Sequence, residues 1–584
     1  MRRLWSGKRS FCGSRVLGSI LGMCLLLLPL TGCTNNNNPV ASVLKLTPLD
    51  LSIPTDALKS PVVKQLPDNT VLRVRVTLKL DSNTMRQMQG QQVQPGQPSH
   101  LEGVAKKLGI DDGTYQKFKD FFKLDGISLR LSKLRTQLAI NARTGLIAKV
   151  LKTKFVVHRY QGHTFYAPDA KNPPMVPAFL FDHIAAITGL DNYSSQPIHA
   201  STFTPEQVAL AQRTHADCSP DQQTLLPKDI AHAYGFDQLW QNGFHGENMS
   251  INLVEIDGSY KSDVQNYLDC IQFKGKINPV DVDGHPTDAL GESTLDIQMV
   301  AGLARSATIN VYQTNASDNS TNDIWVNVND ELQRILDDNF QHANAGGTVS
   351  ISLGISEGEM SQQDMHAIDQ SIQQLTQIEH MAVFVASGDC GAFTSQHYGN
   401  LSVSFPASDP WAVSVGGSIL QIDAGQNRAQ EVAWSDDSNR RSCKNSWGTG
   451  GGLSQIFSEP SWQNQPGIKN QSSNGRRQIP DVSAVAYGLA VYYQGQWGAV
   501  GGTSAAAPIW AAGLALVHQG LLSHHKAFSA TPDVFYKVAQ NNNRSYYDVT
   551  QGNNLYYQAT NGWDYTTGLG TPNLSTFYAT LLQS

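Results

Sequence analysis

The octapeptide Gly501-Gly-Thr-Ser-Ala-Ala-Ala-Pro508 sets one hydroxyl, that of Ser504, at a strand-to-helix junction. Before it, Leu489 to Tyr493 and Trp497 read as strand and turn; after it, Ile509 to His518 carries helical spacing. The glycines permit a sharp turn, the small residues leave room for an approaching group, and Pro508 suits the first turn of the helix. A serine so placed is a candidate nucleophile when a base stands beside it. Otherwise Thr503 or Ser504 is simply the helix N-cap.

The base must come from elsewhere in the chain. The His-Gly-Thr-His segment that supplies it in subtilisin-like enzymes is absent, and His285, in Asp-Val-Asp-Gly-His-Pro, reads as a loop residue in an acidic turn. Gly291 to Ala304 reads instead as a helix, capped by Ser293 or Thr294, with Leu295, Met299, Val300 and Leu303 as an apolar stripe. Glu292 and Asp296 are four apart and meet on one face. Two carboxyls that close share a proton, which makes a base and its orienter for acidic solution. The plainer reading is a solvated helix face. A third segment, Met381-Ala-Val-Phe-Val-Ala-Ser-Gly-Asp-Cys-Gly391, reads as a buried parallel strand that delivers Asp389 to the sheet's carboxyl end, where open α/β sheets hold ligands. A protonated Asp389 could donate a hydrogen bond to an oxyanion; an Asp before a Gly-containing turn could also be only that.

Together the three segments resemble the sedolisin (serine-carboxyl peptidase) family, in its kumamolisin-like pro-enzyme form. The resemblance covers nearly the whole chain beyond the leader. It implies Ser504 as nucleophile, Glu292 as general base, Asp296 as the acid that orients it, and Asp389 as oxyanion donor. Phe405 to Gly417, Gly450-Gly-Gly-Leu-Ser454 and Arg477-Gln-Ile-Pro-Asp-Val-Ser483 agree with it. Glu255 falls where some members extend the acidic network; Leu353 stands where kumamolisin-like members close that network with Trp, which leaves the extension open. The resemblance also implies one structural calcium ion (Ca2+), held by the carboxylates of Asp548 and Asp564 and the carbonyls of Val549, Thr560 and Gly562. Relatives usually have Gly at position 560, so Thr560 serves only if its backbone angles suit a β-branched residue. Without the family these segments are Gly/Asn-rich loops.

Charge is divided unevenly along the 584 residues. Residues 45–200 hold 21 Lys/Arg against 12 Asp/Glu, net +9, and residues 201–584 hold 17 against 37, net −20. A basic segment beside an acidic one points to an intramolecular partner, and no Lys/Arg stripe in the acidic half suggests nucleic acid. At the N-terminus, Arg2, Arg3, Lys8, Arg9 and Arg15 precede an apolar stretch, Val16 to Leu30, that is short for a membrane span. Leu30-Thr-Gly-Cys33 then resembles a lipobox, so lipid on Cys33 would tether the chain to a membrane; plain secretion is the alternative. Of seven cysteines, Cys218, Cys270, Cys390 and Cys443 lie beyond the leader. They allow three pairings. Cys218–Cys270 with Cys390–Cys443 is the expected one, and Cys390 could equally be a small buried residue.

The expected organisation is a lipoprotein-type signal peptide (1–32), a polar tether (33–45), an inhibitory pro-domain (46–190), an activation linker (191–220) and a peptidase domain (221–584). The pro-domain should be α+β, with strands at Val71–Leu80, Ile127–Leu131 and Gln137–Asn141 and helices near Leu101–Leu108 and Tyr115–Leu124. Pro205–Arg213 in the linker has helical character. The peptidase domain should be an α/β, subtilisin-like doubly wound parallel sheet, with strands near 250–256, 307–313, 347–353 and 382–387 and helices near 292–304, 326–342 and 361–379. The implied function is an acid-acting endopeptidase on protein or peptide substrates, made as an extracellular zymogen, secreted or lipid-anchored, whose anchored form would free itself on activation. A surface lipoprotein that binds peptides without cutting them is the alternative.

Overall fold

The computed structural model describes residues 45–93, 101–194, 218, 224–315, 324–341, 347–395, 399–436, 447–468 and 473–584, with the backbone of 198–199. Its C-terminal part is built on eight strands. Seven lie in the order Lys276–Asp281, Thr308–Gln313, Ser250–Glu255, Thr348–Ile351, Ala382–Ala386, Val413–Ile422, Arg428–Ala433, and Val482–Val485 also pairs with Val413–Ile422. Every pairing is parallel except the last two strands of that order, which run antiparallel.

Such a sheet buries both faces, which is why its strands read as unbroken apolar runs. Alternate side chains divide between two layers. Ile251, Leu253, Phe384 and Ala386 join the core that holds the helices Glu292–Leu303 and Thr503–Ser523. Val254, Ile351, Val383 and Val385 join the opposite core, under Ile324–Asn339 and Gln362–Gln377. The fold is subtilisin-like, and the expected strands and helices occur within a few residues of their anticipated ends. The 347–353 strand is interrupted: Thr348–Ile351 stays in the sheet, Ser352 makes the break, and Leu353–Ser356 starts a separate three-stranded ribbon. Thr503–Ser523 is long and apolar enough to cross a membrane, but 89% of its most hydrophobic window is buried in the protein, so it is a core helix.

The N-terminal part has its own core, including Leu72, Val74, Phe118, Leu138, Ile140 and Ile147. Around it fold a four-stranded antiparallel sheet, Ser128–Leu131, Gln137–Arg143, Val71–Leu78 and Ile184–Thr188 in that order, and the helices Asp112–Phe121 and Thr144–Leu151, whereas Glu102–Leu108 sends Ala105 and Leu108 into the core under Ile324–Asn339 and Gln362–Gln377. The charge division takes physical form where this basic part meets the acidic helices. Arg75, 2% exposed, grips Asp330 with Nε at 2.7 and 2.8 Å and Nη2 at 2.6 Å. Arg130 Nη1 reaches Asp337 at 2.8 Å, and Thr136 Oγ1 donates to Gln374 Oε1 at 2.7 Å.

From the linker, Ile198 and His199 pair antiparallel with Gly354 and Leu353. Cys218 and Cys270 form the expected disulfide. Cys390 is also disulfide-bonded; Cys443, Pro205–Arg213 and residues 1–44, with Cys33, lie outside the described residues.

Candidate active site

The helix Glu292–Leu303 is buried on every side, not only along its apolar stripe. Glu292 is 4% exposed and Asp296 0%, so the solvated-face reading fails. Its cap also differs from expectation. Neither Ser293 nor Thr294 caps it; the Asp257 carboxylate, from the loop after Ser250–Glu255, accepts from the N–H groups of Leu290 (2.6 Å), Gly291 (3.0 Å) and Ser293 (3.2 Å). Burial pushes Asp257 up to about 6 against these three donors. Burial and the neighbouring Glu292 charge push Asp296 well above the usual carboxylate range. Glu255, 1% exposed, is raised likewise, by burial and then by Asp296. A cluster of carboxyls this dry can hold few negative charges at once, so it retains protons that isolated acids would lose.

Ser504 enters from the facing helix. Gly502 is the N-cap at φ 137, ψ 152, a conformation closed to side-chain-bearing residues, so Thr503 and Ser504 begin the first turn instead of capping it. Pro508 lies one turn deeper than anticipated, within the helix. Having no N–H, it leaves the Ser504 carbonyl without its i+4 donor. Ser352 Oγ fills that place at 3.1 Å and lies 2.5 Å from Asp296 Oδ2, while Ser504 Oγ donates to the Ser352 carbonyl at 3.2 Å. A hydroxyl has one proton to give. The shorter contact takes it: Ser352 Oγ donates to Asp296 Oδ2, which opposes the raising of that acid by burial and by the Glu292 charge. The break at Ser352 in the sheet thus ties Asp296 to the helix that carries Ser504.

Asp389 stands just past Ala382–Ala386 and is 3% exposed. Its Oδ1 accepts from Thr503 N and from Thr503 Oγ1, both at 2.8 Å. Its Oδ2 is buried and makes no hydrogen bond among the described residues. Burial, opposed by the two Thr503 donors, raises the acid to about 7. The doubly accepting Oδ1 is the carbonyl-like oxygen, which leaves the proton to Oδ2. The turn is held by Gly450, where a Cβ would come within 2.0 Å of the Ser387 carbonyl. A small pocket lined by Ser352, Leu353, Gly354, Gly388, Asp389 and Ser404 opens here. His285 does not join this group: its side chain is 63% exposed and binds Asp281 Oδ2 at 3.0 Å.

Sequence reasoning missed three residues of this site. Asp257 is 35 positions from the helix it caps. Thr503 was visible only as a cap candidate, whereas it orients Asp389. Ser352 carried one usable signal: a proline four residues after Ser504 announces an orphan carbonyl that some side chain must satisfy.

Near the C-terminus, Asp548 Oδ2 accepts from Gly562 N at 2.9 Å and Asp564 Oδ2 from Thr560 N at 2.8 Å, so both carboxylates converge on one short loop. Asp564 is 5% exposed, and its Oδ1 takes both N–H and O–H of Thr566 at 2.8 and 2.6 Å. Burial raises both acids. Thr560 does not have positive φ, so its β-branched side chain sits without backbone strain. Among the described residues no group of three or more His, Cys, Asp or Glu side chains is placed to hold a metal; a cation here would take most of its oxygens from the backbone.

The subtilase family profile matches residues 254–562, and the pro-kumamolisin activation domain matches residues 59–193. Kumamolisin of Bacillus sp. (strain MN-32) is 30% identical over 418 residues, covering 68% of this chain and 70% of its own. The chain belongs to the sedolisin family of serine-carboxyl peptidases. It is a kumamolisin-like pro-enzyme of serine peptidase type. Sedolisin of Pseudomonas sp. (strain 101) is 26% identical over 476 residues, 77% of this chain and 75% of its own. The solved structure of Pseudomonas sedolisin superposes with a TM-score of 0.52 at 25% identity, over 62% of this chain and 99% of that one. The family match also gives this sedolisin an activation domain of its own as intramolecular inhibitor.

Proposed function

We propose that this sedolisin is an acid-acting endopeptidase in which Ser504, Glu292, Asp296 and Asp389 carry the reaction. Glu292 takes the Ser504 proton as Oγ attacks the peptide carbonyl, and Asp296, steadied by Ser352, holds the acid pair in place. The charge that develops on the substrate oxygen meets the Oδ2–H of Asp389. Glu292 returns its proton to the departing amine, and water repeats the cycle on the acyl-enzyme. The observation that carries this reading is the asymmetry of Asp389: one oxygen doubly held by Thr503, the residue before the nucleophile, and the other buried and bare.

The backbone pairing of Ile198 and His199 supports a zymogen that cuts itself. Antiparallel to Leu353–Ser356, the linker advances from Gly354 to Leu353, toward Ser352 and hence toward Ser504. This is how an extended peptide adds to a sheet edge. The linker therefore occupies the place of a substrate.

A calcium ion at the C-terminal loop is part of the proposal: the Asp548 and Asp564 carboxylates and the Val549, Thr560 and Gly562 carbonyls would hold it. Its contribution is structural: it neutralises two acids that the loop brings together. For location, the Leu30-Thr-Gly-Cys33 sequence supports a lipid anchor on Cys33, outside the cytoplasm, from which processing in the linker would release the peptidase domain.

Residues 34–584 and their Ser504→Ala variant, incubated with a denatured protein from acidic to neutral pH, test this reading. Shortening and digestion in acid by the intact chain alone is expected. Equal behaviour of the two chains would overturn it in favour of a peptide-binding lipoprotein.

A further inference from the structure

Between its N-terminal domain and the cleft the chain is pinned at Ser194. Ser194, 6% exposed, donates from Oγ to Asp364 Oδ2 at 2.5 Å and accepts at the same oxygen from Ser361 N at 2.9 Å. Ser361 Oγ donates to that carboxylate oxygen at 2.6 Å and accepts from Asp364 N at 3.1 Å. Ser361 is the N-cap and Asp364 lies in the first turn of Gln362–Gln377, so the anchor belongs to a 16-residue core helix that packs on the sheet. Ser361 and Asp364 are 3% and 4% exposed. The hydrogen bonds form a closed ring.

Four residues later the chain is fixed again, Ile198 on Gly354 and His199 on Leu353. Four residues reach at most roughly 13 Å. Slipping the linker by one position along Leu353–Ser356 would displace it by about 3.4 Å and turn every side chain to the other face. With Ser194 held, only three residues separate the clasp from the paired segment, so a slip of one position would have to be absorbed by those three.

We propose that Ser194, clasped by Ser361 and Asp364, sets the register of the linker in the cleft and so decides which bond downstream of His199 is presented to Ser504. The proposal rests on Ser504 being the nucleophile and on self-processing. It names Ser194 as a positioning residue, one that acts through the linker backbone and is absent from the finished enzyme.

The test compares full-length wild type, Ser194→Ala, Ser194→Thr and Ser504→Ala in acid, reading the new N-terminus by mass spectrometry and the rate of shortening. Wild type should give one N-terminus. Ser194→Ala should spread the cut over neighbouring bonds and slow it by roughly tenfold, and Ser194→Thr, which keeps the hydroxyl, should restore the single cut. The same N-terminus at the wild-type rate in Ser194→Ala overturns the clasp and leaves the nucleophile standing. Wild type that behaves like Ser504→Ala overturns both. Because the cut removes position 194, the mature Ser194→Ala enzyme should digest peptides as wild type does, which separates altered register from a damaged protease.

Discussion

Pro508 and Ser352 are joined by a missing hydrogen. The proline withholds the N–H that the Ser504 carbonyl would accept in an unbroken helix, and the Ser352 hydroxyl stands 3.1 Å away in its stead. Since Ser352 Oγ is also 2.5 Å from Asp296, the proline in effect draws Asp296 to the helix that carries Ser504.

Ser352→Ala should therefore lower kcat/KM by about ten- to a hundredfold, the range for losing a hydrogen bond to a buried polar or charged group. It should also move the acid limb of the pH profile, because Asp296 loses the hydroxyl that donates to it and holds its pKa down. Rates measured from strongly acidic to neutral pH decide this. A uniform drop with an unchanged profile would reduce Ser352 to scaffolding.

Asp389, raised to about 7, keeps its donor proton below that value and loses it above. Activity should fall as pH rises through about 7. In Asp389→Asn the amide oxygen can still accept from Thr503 and the NH2 can donate at any pH, so the neutral-side fall should disappear. Asp389→Ala should cost about 10²–10³ in kcat, as for other oxyanion donors. The check is kcat against pH for the three proteins.

The folded protein should be most stable in acid. Asp257 and Asp369 are raised to about 6, and Glu379 to about 8, each mainly by burial. Each binds a proton in the folded state that the unfolded chain releases near pH 4, so its contribution is full below that point and is lost as pH climbs through 6 to 8. The Tm of the Ser504→Ala chain, which cannot digest itself, should decline across that window. A Tm that rises from pH 4 to 8 would contradict the assignment.

At the junction with the activation domain the pH logic is reversed. Burial is the largest influence on Asp330 and would raise it, but the Arg75 charge, the hydrogen bonds to Asp283 and Arg75 and the Arg73 charge together hold the acid below its ordinary value. That pair contributes above pH 4 and fails only as pH falls through the lowered value. Asp283 beside it is pushed up to about 7, by burial and then by the Asp330 charge, and so is neutral in mild acid. Mild acid thus removes one anion near Arg75 and spares the main pair. Arg75→Ala strands a buried carboxylate, a loss of about 3–5 kcal/mol, and should release the activation domain at neutral pH. Following self-processing at pH 7 would show it.

Chelation offers a separate check on the C-terminal loop. Removing calcium, or replacing Asp548 by Ala, should lower Tm and leave Asp389 titration unchanged. No change of Tm on chelation would argue against a resident ion.

Much of this was legible in the sequence because it depends on local order. Apolar runs announce strands buried on both faces, and the Glu292/Asp296 spacing places two carboxyls on one side of any helix. What stayed hidden depends on contacts far apart in the chain. Asp257 caps a helix from another loop, Arg75 finds Asp330 across 255 positions, and Ser352 matters only because the sheet breaks there. The depth of Pro508 was misjudged by one turn, since the helix begins at Thr503 rather than beyond it.

The Cys218–Cys270 bond has a consequence for what happens after the cut. A break downstream of His199 and upstream of Cys218 creates a new N-terminal stub, yet that stub stays moored through sulfur to the helix Lys261–Ile271 of the peptidase. The severed end is then a leashed product rather than a departing one. It could re-enter the cleft it has just left, and its effective concentration there would be set by tether length and not by dilution. A reducing agent would lengthen that tether, and would also open the Cys390 disulfide beside Asp389.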